Sequence, residues 1–261
     1  MFPLYTMPKN SQQKICESKS LKTKLSPLKP FIFAVDIFLA IFFPIKCLGC
    51  GKYGELLCFE CGRKIDKIKT STCPECGRIS ELGKYCPSCR RRLKTSLDGI
   101  IITAKYDTGP IKQLIAGYKY DGITGVLPIL AELINEKIPL LLSKNSLIAY
   151  VPLHPKRERE RGFNQSREIA KYLAVTNDIS LTDCLKKVKN TPHQVGLSRA
   201  ARRKNVKNVF VCLDKGDPIK GRNIILIDDV ATTGSTLQEC AKELKKAGAK
   251  KVHAFVIARN R

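Results

Sequence analysis

The stretch Ile224–Ile225–Leu226–Ile227–Asp228–Asp229–Val230–Ala231–Thr232–Thr233–Gly234–Ser235–Thr236 constrains this chain more than any other. Four consecutive apolar residues suit a strand covered on both faces. Two acids follow where that strand is expected to end, and a loop of small residues comes next. The segment Ser235–Ala247 then carries Leu237, Cys240, Ala241, Leu244 and Ala247 at helical spacing, with Gly248 placed to stop the helix. In open parallel sheets ligands bind at that end of the strands. Backbone N–H groups of the loop and the helix N-terminus suit a phosphate dianion. Thr232, Thr233, Ser235 and Thr236 add hydroxyl donors, and Asp228 and Asp229 can accept hydrogen bonds from two vicinal ribose hydroxyls. A plain strand, capped turn and helix, with Ser235 or Thr236 only as N-cap, would not account for two adjacent carboxylates at the mouth of a sheet. No Gly-Lys-Thr follows, so this is not a P-loop.

The chain around this stretch alternates strands and helices. Strands are expected at Gly99–Tyr106, Leu147–Val151, Asn208–Leu213, Ile224–Ile227 and Lys251–Ala258. Helices are expected at Pro110–Tyr118, Thr124–Ile138 and Asn164–Ala174, with a polar loop after Pro152. This order predicts an α/β fold with a mostly parallel sheet covered on both faces, over residues 99–261. Residues 1–30 are rich in Lys and Ser without sustained periodicity and read as a flexible leader. The apolar run Phe31–Ile45 is broken by Asp36 and Pro44 and is shorter than the roughly 18–20 apolar residues a membrane span needs, so it reads as a short packing helix with no stable span.

Residues 31–98 hold that run and four C-x-x-C pairs: Cys47/Cys50, Cys58/Cys61, Cys73/Cys76 and Cys86/Cys89. In a chain with no secretory signal such pairs imply metal rather than disulfides. Each pair brings two thiolates to one tetrahedral ion, and eight thiolates make two structural Zn²⁺ sites with no position open to water, iron–sulfur ligation being the weaker alternative. A sequential grouping (47/50/58/61 and 73/76/86/89) and a cross-braced one (47/50/73/76 and 58/61/86/89) both fit the spacing. Gly51, Gly62 and Gly77 follow three of the pairs, where a glycine lets the backbone turn its N–H groups toward sulfur. So small a segment cannot bury a good core, and metal must supply its folding energy.

The thirteen-residue stretch resembles the phosphoribosyl-pyrophosphate (PRPP) signature of type I phosphoribosyltransferases at every position. Val151–Gln165, Thr191–Arg199 with Arg202, Arg203 and Asn205, Tyr106–Pro110 and the cysteine-rich segment resemble the ComF (ComFC) competence family over residues 38–261. The resemblance implies a double zinc ribbon fused to a type I phosphoribosyltransferase-like domain, with a parallel five-stranded core sheet and a hood. It implies a PRPP contact set of Asp228, Asp229, Ala231, Thr232, Thr233, Gly234, Ser235 and Thr236. In that pattern the two acids hold the ribose 2′- and 3′-hydroxyls, Thr232–Thr236 hold the 5′-phosphate, and Mg²⁺ enters with the pyrophosphate. It further implies a cytoplasmic protein working near the inner face of the membrane on incoming single-stranded DNA, beside a DNA-uptake helicase or channel.

Lys156, Arg157, Arg159 and Arg161 follow the strand that ends at Val151, on the same sheet edge as Asp228. Lys156, Arg157 and Arg161 are the pyrophosphate candidates, since cationic donors suit phosphate oxygens. His154 reads as a hydrogen-bonded loop residue rather than a base, and no catalytic residue is assigned. The formal charge is +24, from 47 basic and 23 acidic residues. Two bound zinc ions with eight thiolates reduce this to about +20. Such a balance implies a polyanionic partner. Between Asp183 and Asp214 there is no acid, and His193, Gln194, Arg199 and Arg202 fall there as a candidate flap or DNA contact. Two functions follow: a PRPP-binding factor that handles single-stranded DNA, or an active phosphoribosyltransferase with an unidentified nucleobase or other acceptor.

Overall fold

The computed structural model describes residues 44–190, 208–213 and 219–260. The leader, nearly all of the apolar run Phe31–Ile45, and His193, Gln194, Arg199, Arg202, Arg203 and Asn205 lie outside the described residues. Within them, Lys46 onward forms a single compact unit.

The sheet is built from β1 (Gly99–Lys105), β2 (Ser146–Tyr150), β5 (Asn223–Ala231) and β6 (Lys251–Arg259), all parallel, in the order β1-β6-β5-β2. Among the described residues this sheet has four strands where the resemblance implies five; beside β2 an isolated parallel bridge joins Ile148 to Leu181, with Ile148 N–H donating to Ser180 O and Thr182 N–H to Ile148 O. These strands are almost continuously apolar because both faces are covered, and period-two alternation divides their side chains between two cores. Ile101, Ile148, Ile225, Ile227, Phe255 and Ile257 face one core, shared with α3 (Ile111–Lys119), α4 (Leu127–Asn135) and α6 (Gln165–Asn177). Ile100, Leu147, Ala149, Ile224, Leu226, Ala254 and Val256 face the other, shared with α7 (Ser235–Lys246).

Three expectations change. Segment Asn208–Leu213 contains β4 (Phe210–Cys212), which pairs antiparallel with β3 (Leu185–Lys187) in a separate two-stranded ribbon rather than joining the main sheet. The polar loop after Pro152 contains a helix, α5 (Pro155–Arg161), begun by Pro155 at its first position and ended by Gly162 in the left-handed region. His154 caps it, its Nδ1 accepting from Lys156 N–H at 3.3 Å. Third, β5 does not stop before the acids. Asp228 pairs with Val256 and Ala231 with Arg259, so both carboxylates are strand residues. Hydrogen bonding to β6 extends the strand past the point where hydrophobicity ends.

The cysteine-rich segment consists of two similar units. In each, a C-x-x-C knuckle closes a short antiparallel bridge, Lys46 to Tyr53 and Thr72 to Ile79, and the second cysteine pair opens a helix, α1 (Phe59–Arg63) and α2 (Pro87–Leu93). This segment covers the outer edge of the sheet. Lys67 bridges Ala104 and Lys84 bridges Gly99, both antiparallel, and Lys105 N–H donates to Asp66 O. An edge strand left open offers unpaired N–H and C=O groups to other chains, and here β1 is shielded. The fit is close: a Cβ on Gly83, which has φ +62°, would come within 2.0 Å of Ile100 O.

Candidate functional site

A cleft opens where β2 and β5 part. Val151 N–H makes the last bond between them, to Ile227 O at 3.0 Å. Beyond it β2 turns away at Pro152 while β5 continues, leaving a cleft of about 140 Å³. Lys119, Val151, Leu153, Arg161, Gln165, Ser166, Lys187, Phe210, Asp228, Asp229 and Thr236 border it. Both adjacent carboxylates border this cleft, but each meets a different partner, Lys119 of α3 for Asp229 and Ser166 of α6 for Asp228.

Asp229 is buried and pairs with Lys119, Nζ to Oδ2 at 2.8 Å. Burial works against the Lys119 ammonium, but the Asp229 carboxylate outweighs it and raises the lysine pKa. Asp228 Oδ1 accepts from Ser166 Oγ at 2.9 Å and from Asp229 N–H at 3.0 Å. Burial, and then the negative charge of Asp229, push the Asp228 carboxyl from the ordinary 3.8 up to about 7. At neutral pH this carboxyl is poised between donor and acceptor.

Asn164 fixes the wall opposite. Its Oδ1 accepts from Arg167 N–H at 3.2 Å as the N-cap of α6, and its Nδ2 donates to Val151 O at 3.2 Å. The next residue, Gln165, is 1% exposed. Its Oε1 accepts from Arg161 Nη1 at 3.1 Å, while its Nε2 finds no acceptor among the described residues. The Arg161 guanidinium also lies over the Tyr120 ring, 5.4 Å from its centroid. Of the three cationic candidates on α5, Arg161 borders the cleft. Lys156 is exposed and Arg157 half-buried on the same helix, neither among the bordering residues.

The loop itself divides. Thr236 borders the carboxylate cleft, whereas Thr233, Gly234 and Ser235 border a second, larger cleft of about 220 Å³ with Glu75, Tyr85, Leu93, Thr95, Gln238 and Glu239. Ala231 is the last residue of β5 and is buried. Gly234 caps α7 with φ 76°, a conformation that strains any residue with a Cβ. Thr233 Oγ1 and Ser235 Oγ are hydrogen-bonded at 2.7 Å.

Nothing in the sequence marks Lys119 or Ser166 as a site residue. Lys119 ends an amphipathic helix far from Asp229 in sequence, and no local pattern marks it. Asn164 and Gln165 carry only a helix-start signal, which does not reveal the unpaired amide.

The eight cysteines form two groups, Cys47/Cys50/Cys58/Cys61 and Cys73/Cys76/Cys86/Cys89, with the sulfurs of each within 4.8 Å of one another. This is the sequential grouping. Cys50 and Cys58 Sγ are 3.6 Å apart and Cys76 and Cys86 Sγ 3.7 Å. A tetrahedral ion with Zn–S of about 2.3 Å requires roughly 3.8 Å between sulfurs, so the donors fit zinc. Cys58 N–H donates to Cys47 Sγ at 3.3 Å and Cys86 N–H to Cys73 Sγ at 3.4 Å. Burial opposes the Cys47 thiolate, yet the N–H groups of Cys58, Cys50 and Gly49 hold it down to about 6. Gly51 and Gly77 make the expected tight turns with φ of 78° and 76°, whereas Gly62 sits inside α1 without a positive φ.

A family model described as a double zinc ribbon domain matches residues 38–90, and one described as a phosphoribosyl transferase domain matches residues 160–261. Competence protein F of Haemophilus influenzae is 33% identical over 235 residues, 84% of this chain and 98% of that protein. Competence protein ComFC of Bacillus subtilis is 27% identical over 219 residues, 80% of this chain and 86% of that protein. The DNA utilization protein YhgH of Escherichia coli K12 is 29% identical over 221 residues, 81% and 93% of the two chains. With a double zinc ribbon and a phosphoribosyltransferase-type domain in one chain, and 33% identity to competence protein F over nearly all of that protein, the chain belongs to the ComF competence-protein family.

Proposed function

We propose that the cleft binds PRPP and that the protein handles single-stranded DNA during natural transformation. The observation that carries the PRPP reading is the carboxylate pair at the parting of β2 and β5, directly before the small-residue loop and helix N-terminus. Asp228 and Asp229 accept the ribose hydroxyls, and the segment Ala231–Thr236 holds the 5′-phosphate. Arg161 receives the pyrophosphate, with Lys156 and Arg157 on the same helix adding positive potential. Mg²⁺ enters with the pyrophosphate and neutralises part of its charge. The unpaired Gln165 Nε2 supports a ligand rich in acceptor oxygens, because a buried donor without a partner costs about 1–3 kcal/mol.

The DNA reading rests on the +24 charge and on the competence role for which the relatives are named. Titration calorimetry with PRPP and Mg²⁺ tests the first part. Binding heat is expected from the unaltered protein and not from the Asp228→Asn/Asp229→Asn variant; silence from the unaltered protein refutes the reading. Fluorescence anisotropy of a labelled oligonucleotide tests the second. Affinity is expected to fall at least about tenfold between 50 and 200 mM salt, as counterion release requires.

Turnover is a separate reading. The poised Asp228 carboxyl and the cation-lined cleft favour testing it through PRPP-dependent pyrophosphate release, with nucleobases and DNA as acceptors.

A further inference from the structure

Arg259, the last residue of β6, joins two parts of the molecule that sequence holds far apart. Its Nε donates to Thr232 O in the phosphate loop at 3.0 Å, and its Nη1 donates to Pro74 O. Pro74 lies inside the Cys73–Cys76 knuckle of the second four-cysteine site. Neighbouring contacts reinforce the link. Gln238, in the first turn of α7, accepts from Thr95 Oγ1 at 2.6 Å and from Leu97 N–H at 3.3 Å. Asp98 holds Arg90 of α2 at 3.2 Å and Lys245 of α7 at 2.9 Å, and accepts from Val252 N–H at 2.8 Å.

Peptide planarity gives the link its consequence. Thr232 C=O and Thr233 N–H share one rigid plane and point in opposite directions, so pinning the carbonyl aims the N–H. At the other end, Pro74 C=O belongs to a knuckle whose shape is set by two thiolates sharing one ion. A guanidinium presents several donors in a fixed plane and can hold both carbonyls at once, whereas an ammonium on a flexible stem does not fix their relative orientation.

We propose that Arg259 is a positioning residue that couples the second zinc site to the phosphate loop, so that metal at Cys73/Cys76/Cys86/Cys89 sets the loop's affinity for a phosphorylated ribose. The affinity part rests on the PRPP reading; the coupling part does not. Two measurements separate them: PRPP–Mg²⁺ titration, and hydrogen exchange of the amides from Thr232 to Thr236 without ligand. The proteins are the full chain, Arg259→Gln, Arg259→Lys, Cys76→Ser and Cys76→Ser/Arg259→Gln, with zinc content measured by a chromogenic chelator.

Arg259→Gln is expected to retain both zinc ions, bind PRPP about tenfold more weakly and exchange the Thr233 amide faster. Cys76→Ser is expected to do the same in the unaltered background and to add less than twofold to Arg259→Gln, as reciprocal coupling requires. Equal effects of Cys76→Ser in both backgrounds overturn the proposal, as does PRPP affinity within twofold in Arg259→Gln. Should Arg259→Gln fail to fold, Arg259→Lys decides by the same criterion. If the unaltered protein binds no PRPP, the PRPP reading fails, and loop exchange unchanged by Cys76→Ser then overturns the coupling as well.

Discussion

At the scale of the residue, the chemistry centres on two adjacent carboxylates with unequal surroundings. Asp229 has a cation, Lys119, while Asp228 has a hydroxyl and an N–H. Removing Lys119 leaves a buried charge unpaired, and Lys119→Met is expected to cost about 3 kcal/mol of stability by denaturant unfolding. With the Asp228 carboxyl raised to about 7, the folded state binds a proton that the unfolded chain releases near 3.8. Its contribution to stability is therefore present below 3.8 and lost as pH rises through 7. Ligand binding runs the other way. If ribose hydroxyls donate to ionised Asp228, PRPP affinity rises between pH 6 and 8, and Asp228→Asn flattens that part of the profile. These carboxylates were legible as a pair because two acids after four apolar residues are unusual. Their partners were not, because Lys119 and Ser166 arrive from α3 and α6 through tertiary packing.

At the scale of the element, helix ends do much of the positioning. Asn164 both caps α6 and ties it to the end of β2. Asn164→Ala loses a cap and leaves Val151 O without that donor, so a loss of about 2 kcal/mol is expected in thermal unfolding, together with weaker PRPP binding as Gln165 and Ser166 shift. The start of α6 was legible within a residue, and β1, β2 and β6 closely so, since each has a clear apolar pattern. The end of β5 was not legible, because its last residues are held by β6 and not by their own hydrophobicity. Helix α5 was missed for a related reason: its residues Lys156–Arg161 are all charged and bury no apolar face, so no periodicity announces it.

At the scale of the whole molecule, the zinc ribbons serve as part of the sheet. They cover β1 by bridges at Gly99 and Ala104 and reach the loop after β5 through Arg259. Chelation should therefore lower the unfolding temperature of the entire unit in a single transition by calorimetry. Unfolding of the ribbon alone, with the rest melting unchanged, would contradict this. No helix among the described residues is long and apolar enough to cross a membrane.

By itself the sequence determined the α/β class, the small-residue loop between β5 and α7, and the eight paired cysteines that can serve as metal ligands. Each is written in local spacing: apolar runs, small residues between strand and helix, and C-x-x-C pairs. Tertiary structure decided which cysteines share a site, which cations meet the carboxylates, where β5 ends and what braces the loop. These depend on groups brought together from distant parts of the chain, such as Arg259 with Pro74 and Lys119 with Asp229. Local spacing records none of them, because each contact exists only once both cores have formed.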